Sequence, residues 1–249
     1  MHYSPQMHLK TIVLRPLRAP KDSLWEALME SKLSLKEKDV LAISSKVISI
    51  DEGETLPEDS IDKFELVQRY ADSYYLAPDN AHRTIFTISK GLMVGSAGID
   101  LSNGNGHYIL YPVDPFKSAK RIRRKLLKHF GLKDLGVIIT DSVSVPLRRG
   151  AIGVALSWDG FDPLRDYRNT EDLFGRPFKM ELANIVDGLA AGAVAVMGEG
   201  KESTPVVVIS GSNVHFGKRR TKDSLMVAPE DDIFAPLLFK KGWKKNVQR

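Results

Sequence analysis

Asp100 and Asp141 are the residues of this sequence whose types and surroundings speak most directly of chemistry. Each is an isolated carboxylate among small neighbours. Asp100 follows Gly95-Ser96-Ala97-Gly98-Ile99, and Asp141 closes the apolar run Val137-Ile138-Ile139. A carboxylate just past a buried strand is well placed to hold a divalent cation, because a hard cation needs anionic oxygens and a backbone that stays clear. Arg148 and Arg149 follow in the second segment, cations suited to phosphate or carboxylate ligands. A third group, Ser44-Ser45-Lys46, ends the run Asp39-Val40-Leu41-Ala42-Ile43. Small hydroxyls and an ammonium at a strand end suit a phosphate, although an ordinary turn with a surface lysine carries the same letters. Two metal-ready acids and an arginine pair point to phosphate chemistry without naming a reaction.

The elements that must position these residues alternate irregularly. Thr11-Ile12-Val13-Leu14 reads as a first strand, and Asp22-Ser23 offers an N-cap to a short helix carrying Leu24 and Leu28. The polar stretch Pro57–Asp79, with Phe64, Leu66, Val67 and Tyr70 interspersed, reads as a surface helix. Thr84–Ile88 and His107–Tyr111 read as strands around a glycine-rich loop. Asp114-Pro115 opens a helix whose apolar residues Ala119, Ile122, Leu126, Leu127 and Phe130 recur at helical spacing before Gly131. Its other face is basic, as the wet side of an amphipathic helix often is. Gly150–Ser157 and Pro205–Ser210 read as strands, and Glu181–Val196 as an alanine-rich helix. No regular strand–helix–strand period, internal repeat, P-loop or Gly-x-Gly-x-x-Gly fingerprint is present, which predicts an α+β fold with mixed sheets and surrounding helices.

Composition removes several classes. The chain has 249 residues and no cysteine, so disulfides, zinc-thiolate sites and cysteine nucleophiles are excluded. No apolar run reaches the roughly 18 residues of a membrane span, and the first residues lack a signal pattern, so a cytoplasmic protein is expected. The formal charge of +5 equals the five cations Lys240, Lys241, Lys244, Lys245 and Arg249 of the final decapeptide, which contains no acid. The remainder is formally neutral, which argues against nucleic acid as the partner.

The order of motifs is more specific. Ser44-Ser45-Lys46-Val47-Ile48-Ser49, Ala97-Gly98-Ile99-Asp100-Leu101-Ser102-Asn103, Leu110–Pro115 and the Asp141–Gly150 segment come first. Asp166-Tyr167-Arg168, Asp172–Arg176 and Met197-Gly198-Glu199 follow. Together they resemble the coenzyme F420-0:L-glutamate (gamma-glutamyl) ligases over about Leu14–Gly211. The resemblance implies the family's α+β fold, an intertwined homodimer, and one catalytic unit over residues 1–249 with a C-terminal extension from 212. It implies a GTP-dependent ligase that joins L-glutamate to the carboxylate of a deazaflavin precursor through an acyl phosphate. GTP is then a co-substrate, assisted by Mg2+ or Mn2+, up to two per site, with K+ a further candidate ion.

Carried over by motif, Asp100 and Asp141 would hold one metal, with Ser142 and Glu199 near a second. Asp141, Arg148 and Arg149 would act in catalysis. Arg15, Pro16, Leu17, Arg18, Ser44, Ser45, Lys46 and Asn103 would contact the nucleotide. So would Met197, Gly198, Glu199, Gly200, Lys201, Glu202, Ser203 and Thr204. This chain departs from the family pattern at Val145 and Leu147, where an arginine and a tryptophan are usual, at Ala151-Ile152-Gly153 and at Gly188. The departures cluster around the acceptor rather than the metal and nucleotide. The same ligation on another anionic carboxylate is therefore a second expectation, and a nucleotide-binding member without ligase activity a third.

Overall fold

The computed structural model describes residues 6–76, 85–217, 225–238 and 242–245. In chain order its first elements are β1 (His8–Ile12), α1 (Leu24–Glu30), β2 (Val40–Ser44), α2 (Ser45–Glu52), β3 (Thr55–Pro57), α3 (Lys63–Tyr70) and β4 (Ser73–Tyr75). β5 (Phe86–Ser89), β6 (Leu92–Gly95), β7 (His107–Ile109), α4 (Pro115–Phe130), β8 (Gly136–Ser144) and β9 (Ala151–Asp159) follow. β10 (Leu164–Asp166), β11 (Leu182–Asn184), α5 (Ile185–Met197), β12 (Val206–Ser210), α6 (Ala235–Leu238) and β13 (Lys244–Lys245) complete the series.

The three most apolar runs of the chain become the middle of one five-stranded sheet, ordered β1-β12-β2-β8-β9. Only β2 and β8 are parallel; the other neighbours are antiparallel, so the sheet is mixed. Val40–Ile43, Val137–Ile139 and Val206–Ile209 are apolar at every position because helices cover both faces. Leu41, Ile43, Val137, Ile139, Val206 and Val208 face α1, α2 and α4, while Val40, Ala42, Ile138, Val207 and Ile209 face α5. Helix α5 lies so close to β9 that a Cβ on Gly153 would stand 2.5 Å from the Ala190 carbonyl oxygen. A smaller unit, β4–β5–β6 with β13 at its edge, packs through Leu66, Ile85, Ile99 and Leu110. The fold is α+β with mixed sheets, as the sequence predicts.

Helix α4 forms where its pattern places it: Asp114 accepts from the Lys117 amide, Ala119, Ile122 and Leu126 are buried, and Gly131 closes it at φ 67°. Ser23 caps α1 as read, accepting from the Glu26 amide.

Other elements shift. β1 lies earlier than Thr11–Leu14 because its ladder to β12 runs from His8 to Ile12, after which the Leu14 amide turns to the Ser203 carbonyl. Leu182–Asn184 pairs with Leu164–Asp166, so α5 starts at Ile185 rather than Glu181. Pro57–Asp79 is not one helix but the end of β3, then α3, then β4; residues 77–79, like Thr84, lie outside the described residues. Of the basic tail, Lys244 and Lys245 pair with Tyr74 and Ser73, and Lys240, Lys241 and Arg249 lie outside the described residues.

Candidate active site

A cleft of about 540 Å³ opens at the carboxyl ends of the parallel pair β2 and β8. This is where α/β sheets commonly bind ligands, because the loops leaving parallel strands diverge there. Its walls are the Leu14–Arg18 turn, the first turn of α2, the Asp100–Asn105 loop, Thr140–Ser142, and the Met197–Pro205 loop that leaves α5. Two straps hold the walls together. The Asn103 side-chain amide donates to the Gly200 carbonyl at 3.1 Å, and the Thr204 hydroxyl donates to the Met197 carbonyl at 2.6 Å.

The two carboxylates have opposite electrostatics. Asp141 stands on β8 just past the end of its parallel pairing with β2, where the Tyr111 hydroxyl donates to one of its oxygens and the Ser45 hydroxyl reaches the other at 3.5 Å. Burial lifts its pKa to about 6, against the Tyr111 and Ser142 hydrogen bonds, and the charge of Asp100 adds to the rise. Burial would also raise Asp100. There the Lys46 ammonium, 2.7 Å away, and the hydroxyl and amide of Ser102 outweigh it and hold the carboxyl at about 2. Burial, aided by the charge of Asp141, pushes the Tyr111 phenol well above its ordinary range.

Anion-receptive groups face these acids. Ser44 precedes α2 but makes no side-chain capping bond, and the helix has no acid in its first turn. The leading amides of α2 therefore present partial positive charge toward the cleft. Arg18 and Lys201 line the same cleft, both exposed and with no ion pair among the described residues.

Arg15, in contrast, is committed: its guanidinium forks onto Asp22 at 2.7 and 2.9 Å and reaches Glu30 at 3.1 Å. Asp22 also accepts from the amides of Arg18 and Ser23, so one carboxylate ties down the whole Arg15–Arg18 turn. These hydrogen bonds, the Arg15 fork first, hold Asp22 at about 2. A depressed carboxylate stabilises the fold above its unfolded pKa near 4 and loses that contribution as pH falls toward 2. Asp22→Asn is expected to lower stability by about 1–2 kcal/mol at pH 7, with the gap from wild type shrinking between about pH 4 and 2. Urea titrations across that range check this; an equal stability of the two proteins at pH 7 would refute it.

The cleft gathers nearly all the residues picked out by motif: Arg15, Pro16, Leu17, Arg18, Ser44, Lys46, Asp100, Asn103, Asp141, Ser142 and Met197 through Thr204 all line it. Ser45 does not; it is buried behind Asp141. Arg148 and Arg149 are not brought to the cleft either, and stand exposed on the turn joining β8 to β9. Glu202 folds back on its own loop, accepting from the Gly200 amide at 2.8 Å. The sequence gives Tyr111 and Asp22 no place in the site, although one lies in a motif and the other beside a helix cap. A Tyr-Pro pair and an acid beside a helix cap carry no signal of the distant side chains they meet.

The donor set suits a hard cation. It consists of carboxylate and hydroxyl oxygens, with the Ser142 hydroxyl 3.4 Å from Glu199 and Asp141 desolvated without a cation of its own. No group of three acids or histidines among the described residues is placed to hold a metal unaided. Such a site fits a Mg2+-like ion that takes one or two protein carboxylates and completes its shell with phosphate oxygens and water.

Paired acids, a lysine and uncapped helix amides gather at the ends of the parallel strands of an α+β fold. Residues 9–211 match the F420-0:Gamma-glutamyl ligase family, and the chain belongs to that family. It is 34% identical to the Coenzyme F420:L-glutamate ligase of Methanopyrus kandleri, across 92% of this chain and 98% of that protein. The protein of that name from Methanocaldococcus jannaschii is 34% identical across 80% of this chain and 86% of its own length. The Halobacterium salinarum one is 33% identical across 87% and 90%. No helix among the described residues is long and apolar enough to cross a membrane.

Proposed function

We propose that this protein forms an amide between L-glutamate and the carboxylate of the F420 precursor, using GTP and a divalent cation. The observation that carries the reading is the cleft of a member of this family in which Asp100 and Asp141 face Lys46 and the uncapped start of α2. The α2 amides, Lys46, Arg18 and Lys201 bind the triphosphate. Asp100 and Asp141 hold a divalent cation, with Ser142 and Glu199 placed for a second; when bound, the cations neutralise phosphate charge.

An acceptor carboxylate oxygen attacks the γ-phosphorus, the bond to the bridging oxygen breaks, and GDP leaves. The glutamate amine then attacks the acyl carbon, the bond to phosphate breaks, and phosphate departs with the electron pair and the amine proton. Positioning and charge neutralisation supply most of the rate in such transfers. A product heavier by one glutamyl residue, formed with stoichiometric GDP and phosphate, is expected from acceptor, glutamate and GTP. Phosphate release that is indifferent to glutamate would refute ligation, and turnover of other carboxylates in preference to this one would move the acceptor assignment.

The same reading includes a homodimer. It is supported by the segment joining β10 to β11, where Leu173, Phe174 and Met180 are 98%, 93% and 87% exposed. Apolar side chains grouped this way ordinarily mark a partner surface. A monomeric mass by light scattering at micromolar concentration would remove this part of the proposal.

A further inference from the structure

Lys46 already takes the oxygen donors that Asp100 and Ser102 offer to the cleft. Its ammonium lies 2.7 Å from one Asp100 carboxylate oxygen and 3.0 Å from both the carbonyl and hydroxyl oxygens of Ser102. A carboxylate, a carbonyl and a hydroxyl converging on one point are the hard oxygen donors that a divalent cation takes. The seat is built rather than incidental. The Ser102 amide donates to the second Asp100 oxygen at 2.8 Å, and the Ser102 hydroxyl donates to the first at 2.7 Å, so carboxylate and hydroxyl are fixed before any cation arrives. The lysine side chain is 26% exposed, held between this loop and the cleft.

Two cations cannot share the seat. Like charges about 4 Å apart repel by several kcal/mol in a partly dry site, more than a lysine rotamer change requires. The lysine has somewhere to go. It springs from the first turn of α2, whose amides form the phosphate-receptive wall of the same cleft. We propose that Lys46 is the resident cation of the Asp100 seat, and that it yields the seat to the metal only when a nucleotide phosphate draws its ammonium toward the start of α2. The inference rests on the nucleotide and metal reading given above and adds an order to it: the metal enters with or after the nucleotide.

The arrangement makes the affinities of nucleotide and metal mutually dependent, as any coupling of two sites must be reciprocal. It also gives removal of Lys46 opposite effects on the two ligands. Nucleotide loses a charge-assisted contact and binds more weakly, while metal gains a vacated seat and binds more tightly. A lysine that only meets phosphate would change the first and leave the second. A lysine that only props the loop would weaken both.

The test uses full-length protein and the paramagnetic signal of free Mn2+, first without nucleotide. Lys46→Met, which keeps the apolar stem, is expected to bind Mn2+ at least about tenfold more tightly than wild type, since a like charge has been removed from the seat. Lys46→Arg should stay close to wild type, and Lys46→Met combined with Asp100→Asn should lose the gain. Equal Mn2+ affinity of wild type and Lys46→Met would overturn the proposal. Repeating the titration with a non-hydrolysable GTP analogue separates the two levels, reading Mn2+ bound beyond what the nucleotide alone takes up. Mn2+ taken up by wild type there, with no gain in nucleotide-free Lys46→Met, rejects the lysine gate and leaves the metal reading standing. No Mn2+ bound by either protein in either condition rejects both.

Discussion

Asp141→Asn is expected to abolish turnover and, in the metal-free protein, to raise the melting temperature. Both follow from one placement. The carboxylate stands on β8 against the Tyr111 hydroxyl, and burial lifts its pKa to about 6. A raised carboxyl is in its favoured neutral form below the unfolded pKa near 4, and its ionisation weighs against the fold as pH rises through about 6. At pH 8 the full penalty is present, on the order of 2 kcal/mol, and an amide of the same shape does not incur it. The stabilisation by Asn should therefore emerge between about pH 4 and 6 and hold above.

Turnover moves the other way. A neutral amide cannot neutralise a cation beside a phosphoryl group in transfer, a loss of about 3 kcal/mol or more and of the order of a hundredfold in rate. Calorimetry and a product assay on one preparation read both. A variant of near wild-type activity at saturating Mg2+ or Mn2+ would remove Asp141 from the metal site. Lost activity together with lost stability would show an acid that is structural. Gain of stability with loss of function is the signature of a site held in an unfavourable state for its chemistry.

The acids of this site were legible because their chemistry is local. An isolated Asp after small residues or at the end of an apolar run can be recognised without knowing what it faces. The same holds for α4, where the Asp114 cap, the spacing of Ala119, Ile122 and Leu126, and Gly131 all speak of one helix. Helix α2 was not legible. Val47-Ile48-Ser49-Ile50 is β-branched and directly follows a strand, so nothing local tells it to coil. It does so because Ile48 and Ile50 bury themselves against the sheet, a tertiary preference overriding a local one. That helix decides what the Ser44-Ser45-Lys46 group means. Its first turn carries Lys46 to Asp100 and turns Ser45 inward behind Asp141. The Arg148-Arg149 pair shows the converse, a chemically suggestive doublet that the hairpin between β8 and β9 carries away from the cleft. Residue type can announce a function; only the packing says whether the side chain arrives.

Gly98→Ala is expected to destabilise the protein by on the order of 3 kcal/mol and to disturb Asp141 without touching it. Gly98 sits at φ 72°, a left-handed conformation that an alanine adopts at a cost of about 1–2 kcal/mol. Its missing Cβ would also lie 2.0–2.5 Å from the ring atoms of Tyr111. That ring is 7% exposed and packs in the core, so moving it disturbs its neighbours there. Overpacking of this kind adds about 1–3 kcal/mol. The displaced ring withdraws its hydroxyl from Asp141, so turnover should fall as well. Tyr111→Phe isolates that second effect, because it keeps the ring and removes only the donor. Its activity should fall in the same direction as that of Gly98→Ala, with a stability change nearer 1 kcal/mol. The decisive measurement is a double-mutant cycle on stability. In a Tyr111→Ala background the clash is gone, and Gly98→Ala should cost only the backbone contribution of about 1–2 kcal/mol. An undiminished cost there would mean that Gly98 is kept for its backbone conformation alone, and that the glycine before Asp100 owes nothing to the tyrosine that holds Asp141.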